Sequence, residues 1–186
     1  MEKLQQNFDV SITWVHFPLH PETPAGGIPI EKLFAGRNID MDAAHQHMKG
    51  LMDAESLPYG KRTHTYNSRL AQELGKWADT QPDGSRIHDA LFRAYFVDGK
   101  NIGDAETLVD IATGVGLPED LARIVLEQRA FSEAIDEDWA RSRAFGITGV
   151  PTFVASGFGV VGAQPYETLE QLLDHVQAPR VDNGAT

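Results

Sequence analysis

The 186-residue sequence contains no cysteine. This absence excludes a disulfide scaffold, a thiolate metal site and a cysteine nucleophile within these residues. The sequence also has no run of about 18 apolar residues, which a membrane-spanning helix needs, and its first residues lack the apolar segment of a signal peptide. We therefore expect a cytoplasmic protein without membrane association.

Positive charge is also scarce. The sequence carries 16 Lys+Arg against 27 Asp+Glu, which gives a net charge of -11. Because phosphate backbones and anionic lipid surfaces repel such a chain at long range, nucleic acid is not an expected partner. Hydrophobic residues make up 41% of the sequence, which indicates a globular chain with one domain, or one domain carrying an insertion.

The spacing of apolar residues predicts the order of secondary structure. Residues 10–17 are β-branched and aromatic, and they are predicted as a strand. Apolar residues three and four apart then predict a succession of helices between residues 42 and 145. Asp104 is a predicted N-cap within this block, and Gly146 is predicted to end its last helix. After Gly146 the period becomes two, which predicts a hairpin of residues 152–161 with its turn at 157–159, and Pro165 opens a final helix. This order predicts an α/β fold with a helical block between two sheet segments.

One glycine motif is typical of dinucleotide binding. Residues 157–162 match G-x-G-x-x-G after a predicted strand. A dinucleotide fold needs a helix at the third glycine and an acidic residue about 20 positions further on. Val160 and Val161 are strand formers, however, and the acidic position would fall in the C-terminal tail. A hairpin turn is the favoured interpretation, and no cofactor is expected.

The histidines and acidic residues form no recognisable metal or acid–base motif. Pro18 separates His16 from His20, and His45 and His47 lie on different faces of one predicted helix. The histidines are therefore expected in loops or on the surface, with no metal. Four acidic residues of one predicted helix are expected to form a solvated face. They are Glu133, Asp136, Glu137 and Asp138.

The stretch Gly-Ile-Thr-Gly-Val-Pro-Thr-Phe, residues 146–153, joins a predicted helix to a predicted strand. Pro151 occupies the first position of that strand, where no ladder N–H is needed. It also restricts Val150 to extended geometry. The residues alone leave both the cis and the trans form of the Val150–Pro151 bond open.

This stretch, followed by a hairpin and by Val-Gly-Ala-Gln-Pro at residues 161–165, resembles the DsbA-like thioredoxin-fold family. The similarity extends to Trp-Val-His-Phe-Pro-Leu-His-Pro-Glu at residues 14–22, Thr-Tyr-Asn-Ser-Arg-Leu-Ala at 65–71 and Leu-Phe-Arg-Ala-Tyr-Phe at 91–96. The sequence is similar to the cytoplasmic FrnE-type branch, which is related to 2-hydroxychromene-2-carboxylate isomerases and kappa-class glutathione transferases. The resemblance covers about residues 4–177.

The resemblance implies a thioredoxin-like α/β fold with an all-helical insertion. Residues 8–39 and 132–177 would form the thioredoxin-like domain, residues 41–131 the insertion and residues 178–186 a flexible tail. Family members begin with a strand and a Cys-x-x-Cys, or a serine variant, that opens a helix. Residues 1–7 resemble only the tail of that helix. We expect that the sequence either starts after this segment or belongs to a protein without redox chemistry.

The resemblance also implies a substrate site. It makes the Val150–Pro151 bond cis, and it leaves the Val150 backbone available to pair with an extended peptide or with glutathione. The implied substrate-binding residues are Asn67, Thr148, Gly149, Val150, Pro151, Ala163 and Gln164. The pair at 163–164 stands where glutathione-using relatives contact the γ-glutamyl end, but it lacks their polar Ser/Asn–Asp pair. No catalytic residue is assigned within these 186 residues.

The activity that the resemblance implies is thiol–disulfide oxidoreduction on a thiol or extended-peptide protein substrate. The 186 residues are expected to be inactive alone because they lack the thiol. The alternatives are a non-catalytic peptide-binding module on the same fold, and a glutathione-dependent isomerase or transferase whose catalytic residue lies in the missing segment. The family's first strand would lie between residues 10–17 and the strand starting at Thr152. Its absence is expected to expose sheet edges and to favour homo-oligomers.

Overall fold

The computed structural model describes residues 1–37 and 39–181, so the predicted tail lies outside the described residues from position 182. The helices and strands of these ranges are α1 (Glu2–Asn7), β1 (Ile28–Pro29), α2 (Ile30–Leu33), α3 (Met41–Ala54), β2 (His64–Thr65), α4 (Arg69–Ala78), α5 (Arg86–Phe96), α6 (Ala105–Gly114), α7 (Glu119–Glu127), α8 (Ser132–Ala144), β3 (Thr152–Ala155), β4 (Phe158–Val161) and α9 (Tyr166–His175). None of these helices is long and apolar enough to cross a bilayer.

The contacts divide the chain into two compact units. Unit 1 contains Met1–Leu19 and the chain from Asp138 onward, and unit 2 contains His20–Glu137. The sequence-based domain boundaries near residues 40 and 131 differ from these divisions and stay predictions.

Unit 2 is built from the helices that the apolar spacing predicts. Helices α4 to α7 pack around fully buried side chains that recur three and four residues apart, among them Leu74, Ile87 and Leu108. The predicted N-cap is also present, because the Asp104 carboxylate accepts a hydrogen bond of 2.9 Å from the Thr107 amide at the start of α6. Local helix signals and the packed core therefore agree in this unit.

A small sheet in unit 2 was not predicted. β1 and β2 pair in an antiparallel fashion, with Ile28 opposite Thr65 and Pro29 opposite His64. Each strand has two residues, and the prolines and glycines before β1 predict a loop. A strand this short carries no detectable period, so only its tertiary partner defines it.

Unit 1 contains the predicted hairpin. β3 and β4 pair in an antiparallel fashion, and their shared turn lies at Ser156 and Gly157, whose φ angles are 48° and 85°. Two consecutive positive φ angles are typical of a two-residue type I′ turn. The turn lies one residue earlier than the predicted 157–159, and Phe158 is the first residue of β4. On the inner face of the hairpin, Phe153 and Val160 pack against the core that contains α1 and α9.

The predicted strand at residues 10–17 is wrong. No residue of that segment forms a strand, because the described part of the chain offers it no ladder partner. The Val10 amide instead donates to the Phe8 carbonyl at 3.0 Å. The His16 amide donates to the carboxylate of Asp138 at 3.1 Å. Strand-forming residues need a neighbouring strand, and here side-chain and turn bonds replace it.

Candidate functional site

The candidate site begins where α8 ends. Gly146 has a φ of 66°, which a residue with a Cβ rarely adopts, and its amide donates to the Arg143 carbonyl at 2.9 Å. The Ile147 amide donates to the Ser142 carbonyl at 3.0 Å. These two bonds close the helix as a Schellman-type cap, and they confirm the predicted C-terminal role of Gly146. The chain then leaves the helix as the loop of residues 147–151.

Val150 is an exposed residue of this loop. The Val150–Pro151 peptide bond is cis, and the Val150 residue is 52% exposed. The flanking carbonyls have partners: Gly149 accepts from the Thr152 hydroxyl at 2.8 Å, and Pro151 accepts from the Gly162 amide at 2.8 Å. The Val150 N–H and C=O bond to no other residue that the structure describes. The loop therefore fixes both neighbours of Val150 and leaves its peptide groups for an external partner.

The edge of β3 continues this pattern. In the register of the hairpin, Phe153 lies opposite Val160 and Ala155 opposite Phe158. Because the bonded pairs of an antiparallel ladder alternate, and Gly162 bonds to Pro151, the groups of Thr152 and Val154 point away from β4. The described chain contains no third strand in this sheet.

A pocket of about 180 Å³ lies on the outer face of the hairpin. Its lining residues are Phe145, Gly146, Ile147, Thr148, Thr152, Val154, Gly157, Gly159 and Val161. None of them is charged, and Phe145, Val154 and Val161 are between 45% and 62% exposed. The end of α8, the loop and the hairpin thus border an uncharged recess.

The remaining residues of the implied site have other contacts. The Gln164 side-chain amide donates to the Val161 carbonyl at 2.7 Å, and Ala163 offers no polar side-chain group. Asn67 lies in unit 2, where its amide donates to the carbonyls of Pro21 at 3.1 Å and Thr23 at 2.8 Å. These bonds anchor the proline-rich loop. The substrate-binding role of these three residues stays a prediction.

Sequence reasoning missed a polar cluster beneath the loop. The Asp138 carboxylate lies 3.0 Å from the His16 ring nitrogen Nδ1, and Asp138 is only 7% exposed. The Ser142 hydroxyl donates to the carbonyls of His16 at 3.2 Å and Asp138 at 3.0 Å. The expected solvated face is therefore wrong for Asp138, although Glu133 is exposed as predicted. The i, i+4 spacing of Asp138 and Ser142 was the available signal, but nothing in the sequence pairs them with His16.

This cluster ties the segment around residue 16 to the helix that carries the candidate loop. The Asp138 carboxylate accepts from the His16 amide and contacts the His16 ring, and the Ser142 hydroxyl donates to two backbone carbonyls, so each of these polar groups has a partner. Among the described residues no group of three or more histidine, cysteine or acidic side chains is placed to hold a metal ion. The site therefore presents the backbone groups of Val150 and an uncharged pocket.

The chain is similar to several known proteins. It is 26% identical over 172 residues to the uncharacterized protein YwbO of Bacillus subtilis (strain 168), which covers 91% of this chain and 84% of YwbO. It is 29% identical to the probable DsbA oxidoreductase SCO1869 of Streptomyces coelicolor, with a TM-score of 0.75 over 84% of this chain and 71% of that structure. A 2-hydroxychromene-2-carboxylate isomerase structure matches at 16% identity and a TM-score of 0.70, over 94% of this chain and 85% of its own. At that identity the isomerase shows a shared fold alone.

A family model shows to which family the chain belongs. The profile of the DSBA-like thioredoxin domain matches residues 1–174, which is nearly the whole chain. The helix-capped loop before Pro151, the β3–β4 hairpin and the terminal helix α9 all lie in the matched range. The fold is thus the thioredoxin-like DsbA fold, rich in helices and with small sheets, and the chain belongs to the DSBA-like thioredoxin domain family.

Proposed function

We propose that this chain forms the peptide-binding part of a DsbA-like thiol–disulfide oxidoreductase. Its Val150 backbone would hold an extended substrate by strand addition. The observation that carries the proposal is that Val150 is exposed while its N–H and C=O bond to no other described residue. A cytoplasmic location, membership of the FrnE-type branch and a helical insertion belong to the same proposal.

In this proposal the chain holds and orients the peptide substrate. In thiol–disulfide exchange a thiolate attacks one sulfur of a disulfide, a mixed disulfide forms and the other sulfur leaves as a thiolate. The 186 residues contain no thiol, so no step of bond exchange is assigned to them. A peptide paired with Val150 would be held extended at a fixed place, because N–H and C=O groups on both chains restrict its register.

Strand addition predicts a specific response to backbone methylation. A fluorescent extended peptide is titrated with the chain and followed by anisotropy. N-methylation of the peptide amide that pairs with the Val150 carbonyl is expected to weaken binding about tenfold, because each lost hydrogen bond costs about 1 kcal/mol or more. Methylation of the next amide, which points away from the protein, is the matched control. Equal affinity of both methylated peptides, at every register tried, would contradict strand addition.

Glutathione is the less favoured partner. The Gln164 amide is engaged with the Val161 carbonyl, and Ala163 supplies no polar group for a γ-glutamyl end. The likeness to the isomerase structure concerns the fold alone. A non-catalytic peptide-binding module would use the same Val150 edge.

We also propose that copies of this chain associate through the edge of β3. The backbone groups of Thr152 and Val154 point away from β4, and Val154 is 45% exposed, as expected of an unprotected sheet edge. Sedimentation at micromolar concentration is expected to show a dimer or a larger assembly. Val154→Lys should shift the population toward the monomer, and Val181→Lys, at an exposed valine outside the hairpin, should not. A monomer at all concentrations would overturn the proposal.

A further inference from the structure

The charge of the chain is unevenly distributed around the candidate site. The whole sequence has a net charge of -11, yet residues 139–166 contain no aspartate or glutamate. The same 28 positions contain two arginines, Arg141 and Arg143, in the last turn of α8. The segment that forms the loop, the hairpin and the pocket lining therefore carries a net charge of +2 within a negative chain.

Both arginines have unused hydrogen-bond donors. They are exposed, and neither makes an ion pair or a side-chain hydrogen bond with any residue in the described ranges. Several other arginines of the chain are paired with carboxylates, for example Arg123 with Glu106 and Arg180 with Asp174. A position near the C-terminus of a helix favours a positive charge, but it leaves the five guanidinium donors without partners.

The arginines are adjacent to the pocket. The Phe145 amide donates to the Arg141 carbonyl at 3.1 Å, and the two side chains are one helical turn apart on the same face of the chain. Phe145 lines the pocket. Arg143 is three residues before Gly146, which also lines it. The pocket thus has an uncharged lining, and Arg141 lies on the face of α8 that leads to it through Phe145, whereas Arg143 lies on another face of the same last turn.

The size and chemistry of the pocket define what enters it. Its volume of about 180 Å³ is below the roughly 300 Å³ of the smallest typical small-molecule sites. It is far larger than the roughly 30 Å³ that one water occupies. The lining carries no charge, and its side chains are apolar except for Thr148 and Thr152, so an aliphatic or aromatic side chain fits it better than a charged one. The N–H and C=O groups of Val150, which bond to no other described residue, favour a side chain that belongs to an extended peptide.

We propose that this surface selects acidic peptides: an apolar side chain of the substrate enters the pocket, and a neighbouring carboxylate contacts Arg141 or Arg143. The proposal rests on the proposed function, since the peptide is held at the Val150 backbone. Charge complementarity supports it, because the sequence as a whole is acidic whereas the segment that lines the pocket carries two arginines and no acidic residue. An acidic substrate is therefore oriented toward the pocket as it approaches.

The test compares three fluorescent peptides with the same length and backbone, by anisotropy at low and at physiological salt. The first carries one leucine flanked by two glutamates, the second replaces the glutamates by lysines, and the third replaces the leucine by alanine. The first peptide is expected to bind at least tenfold more tightly than either of the others. Its advantage over the lysine peptide should shrink with salt, because screening weakens exposed charge pairs.

Protein variants separate the two contacts. Arg141→Glu/Arg143→Glu is expected to reverse the preference between the glutamate and lysine peptides. Lys32→Glu/Lys100→Glu has the same charge change on exposed residues of unit 2, and it should leave the order of preference intact.

Gly159→Ala and Gly159→Val fill the pocket stepwise and should abolish the leucine advantage progressively. A Cβ at Gly159 would meet its nearest neighbours at 3.5 and 3.7 Å, which is ordinary contact, so the fold should tolerate it.

Each outcome bears on one proposal. If the three peptides bind equally but backbone methylation still weakens binding, the acidic selectivity is wrong and strand addition stands. If the control pair Lys32→Glu/Lys100→Glu reverses the preference as well, the preference depends on the net charge of the protein and not on contacts with Arg141 and Arg143. If no peptide binds to a folded chain, the proposed function itself fails. Far-UV circular dichroism of every variant establishes that it is folded.

Discussion

The purified 186-residue chain is expected to reduce insulin disulfides no faster than dithiothreitol alone. A mixed disulfide needs a thiolate on the protein, and the sequence contains no cysteine to supply one. Serine and threonine hydroxyls do not replace a thiolate in this exchange. The measurement is the rise in turbidity as reduced insulin precipitates, with a preparation from which contaminating thioredoxin has been removed.

The control for this result is binding by the same preparation. The sample that shows no turnover should still bind the extended peptides in the anisotropy titration, because binding depends on the Val150 backbone and not on a thiol. Turnover that copurifies with the chain through two orthogonal columns would show that a group other than a cysteine thiol transfers electrons to the insulin disulfides. Absence of peptide binding by a sample that circular dichroism shows to be folded would contradict the proposed function.

The candidate loop could be predicted from the sequence because the residue preferences that form it are local. Gly146 ends a helix, Pro151 begins a strand and the residues between them form a short connection, and each of these preferences acts over two or three positions. The structure shows the expected loop and the cis bond that the resemblance implied. The pocket could not be predicted, since its lining combines Phe145 at the end of α8 with Val161 of β4, which only the tertiary fold brings together.

The two wrong predictions, the strand at residues 10–17 and the solvated position of Asp138, have one physical origin. Residues 10–17 have the composition of a strand, but a strand exists only when a neighbour completes its ladder. The many acidic residues of its helix predict a solvated position for Asp138. Its carboxylate instead contacts His16, which is 122 positions away in the sequence. Local composition predicts local conformation, and it carries no information about which distant group will satisfy a buried charge.

Replacing Glu73 by glutamine is expected to lower the free energy of unfolding at pH 7 by about 3 kcal/mol. The Glu73 side chain is fully buried in α4, and its carboxylate accepts bonds of 2.7 Å from Arg69 Nε and of 2.7 and 2.6 Å from Arg129 Nε and Nη2. Removing one charge from a buried ion network leaves the others uncompensated, which costs about 3–5 kcal/mol. Arg69 keeps bonds to Asp136 and to the Ser132 carbonyl, so the lower end is expected.

Urea unfolding measures this effect. The matched control is Glu106→Gln, because Glu106 pairs with Arg123 at the surface and is 70% exposed. Exposed pairs contribute about 0–1 kcal/mol, so the control should lose at most about 1 kcal/mol. Trp77, which is 5% exposed and lies on the same helix as Glu73, reports unfolding of unit 2 by fluorescence. Equal losses in both variants would contradict a special role for the buried network.

The difference between the wild type and Glu73→Gln is further expected to depend on pH. Burial raises the pKa of Glu73, but hydrogen bonds from Arg129 and Arg69 outweigh burial, and the net pKa lies below its ordinary value of 4.5. A carboxyl whose pKa is lower in the folded state stabilises the fold fully above its unfolded pKa. That stability is lost as the pH falls through the folded pKa. The 3 kcal/mol difference should therefore stay constant from pH 7 to about 5.5, and it should shrink only below about pH 4. A difference that grows on acidification would mean that burial dominates, and that Glu73 is protonated in the folded protein.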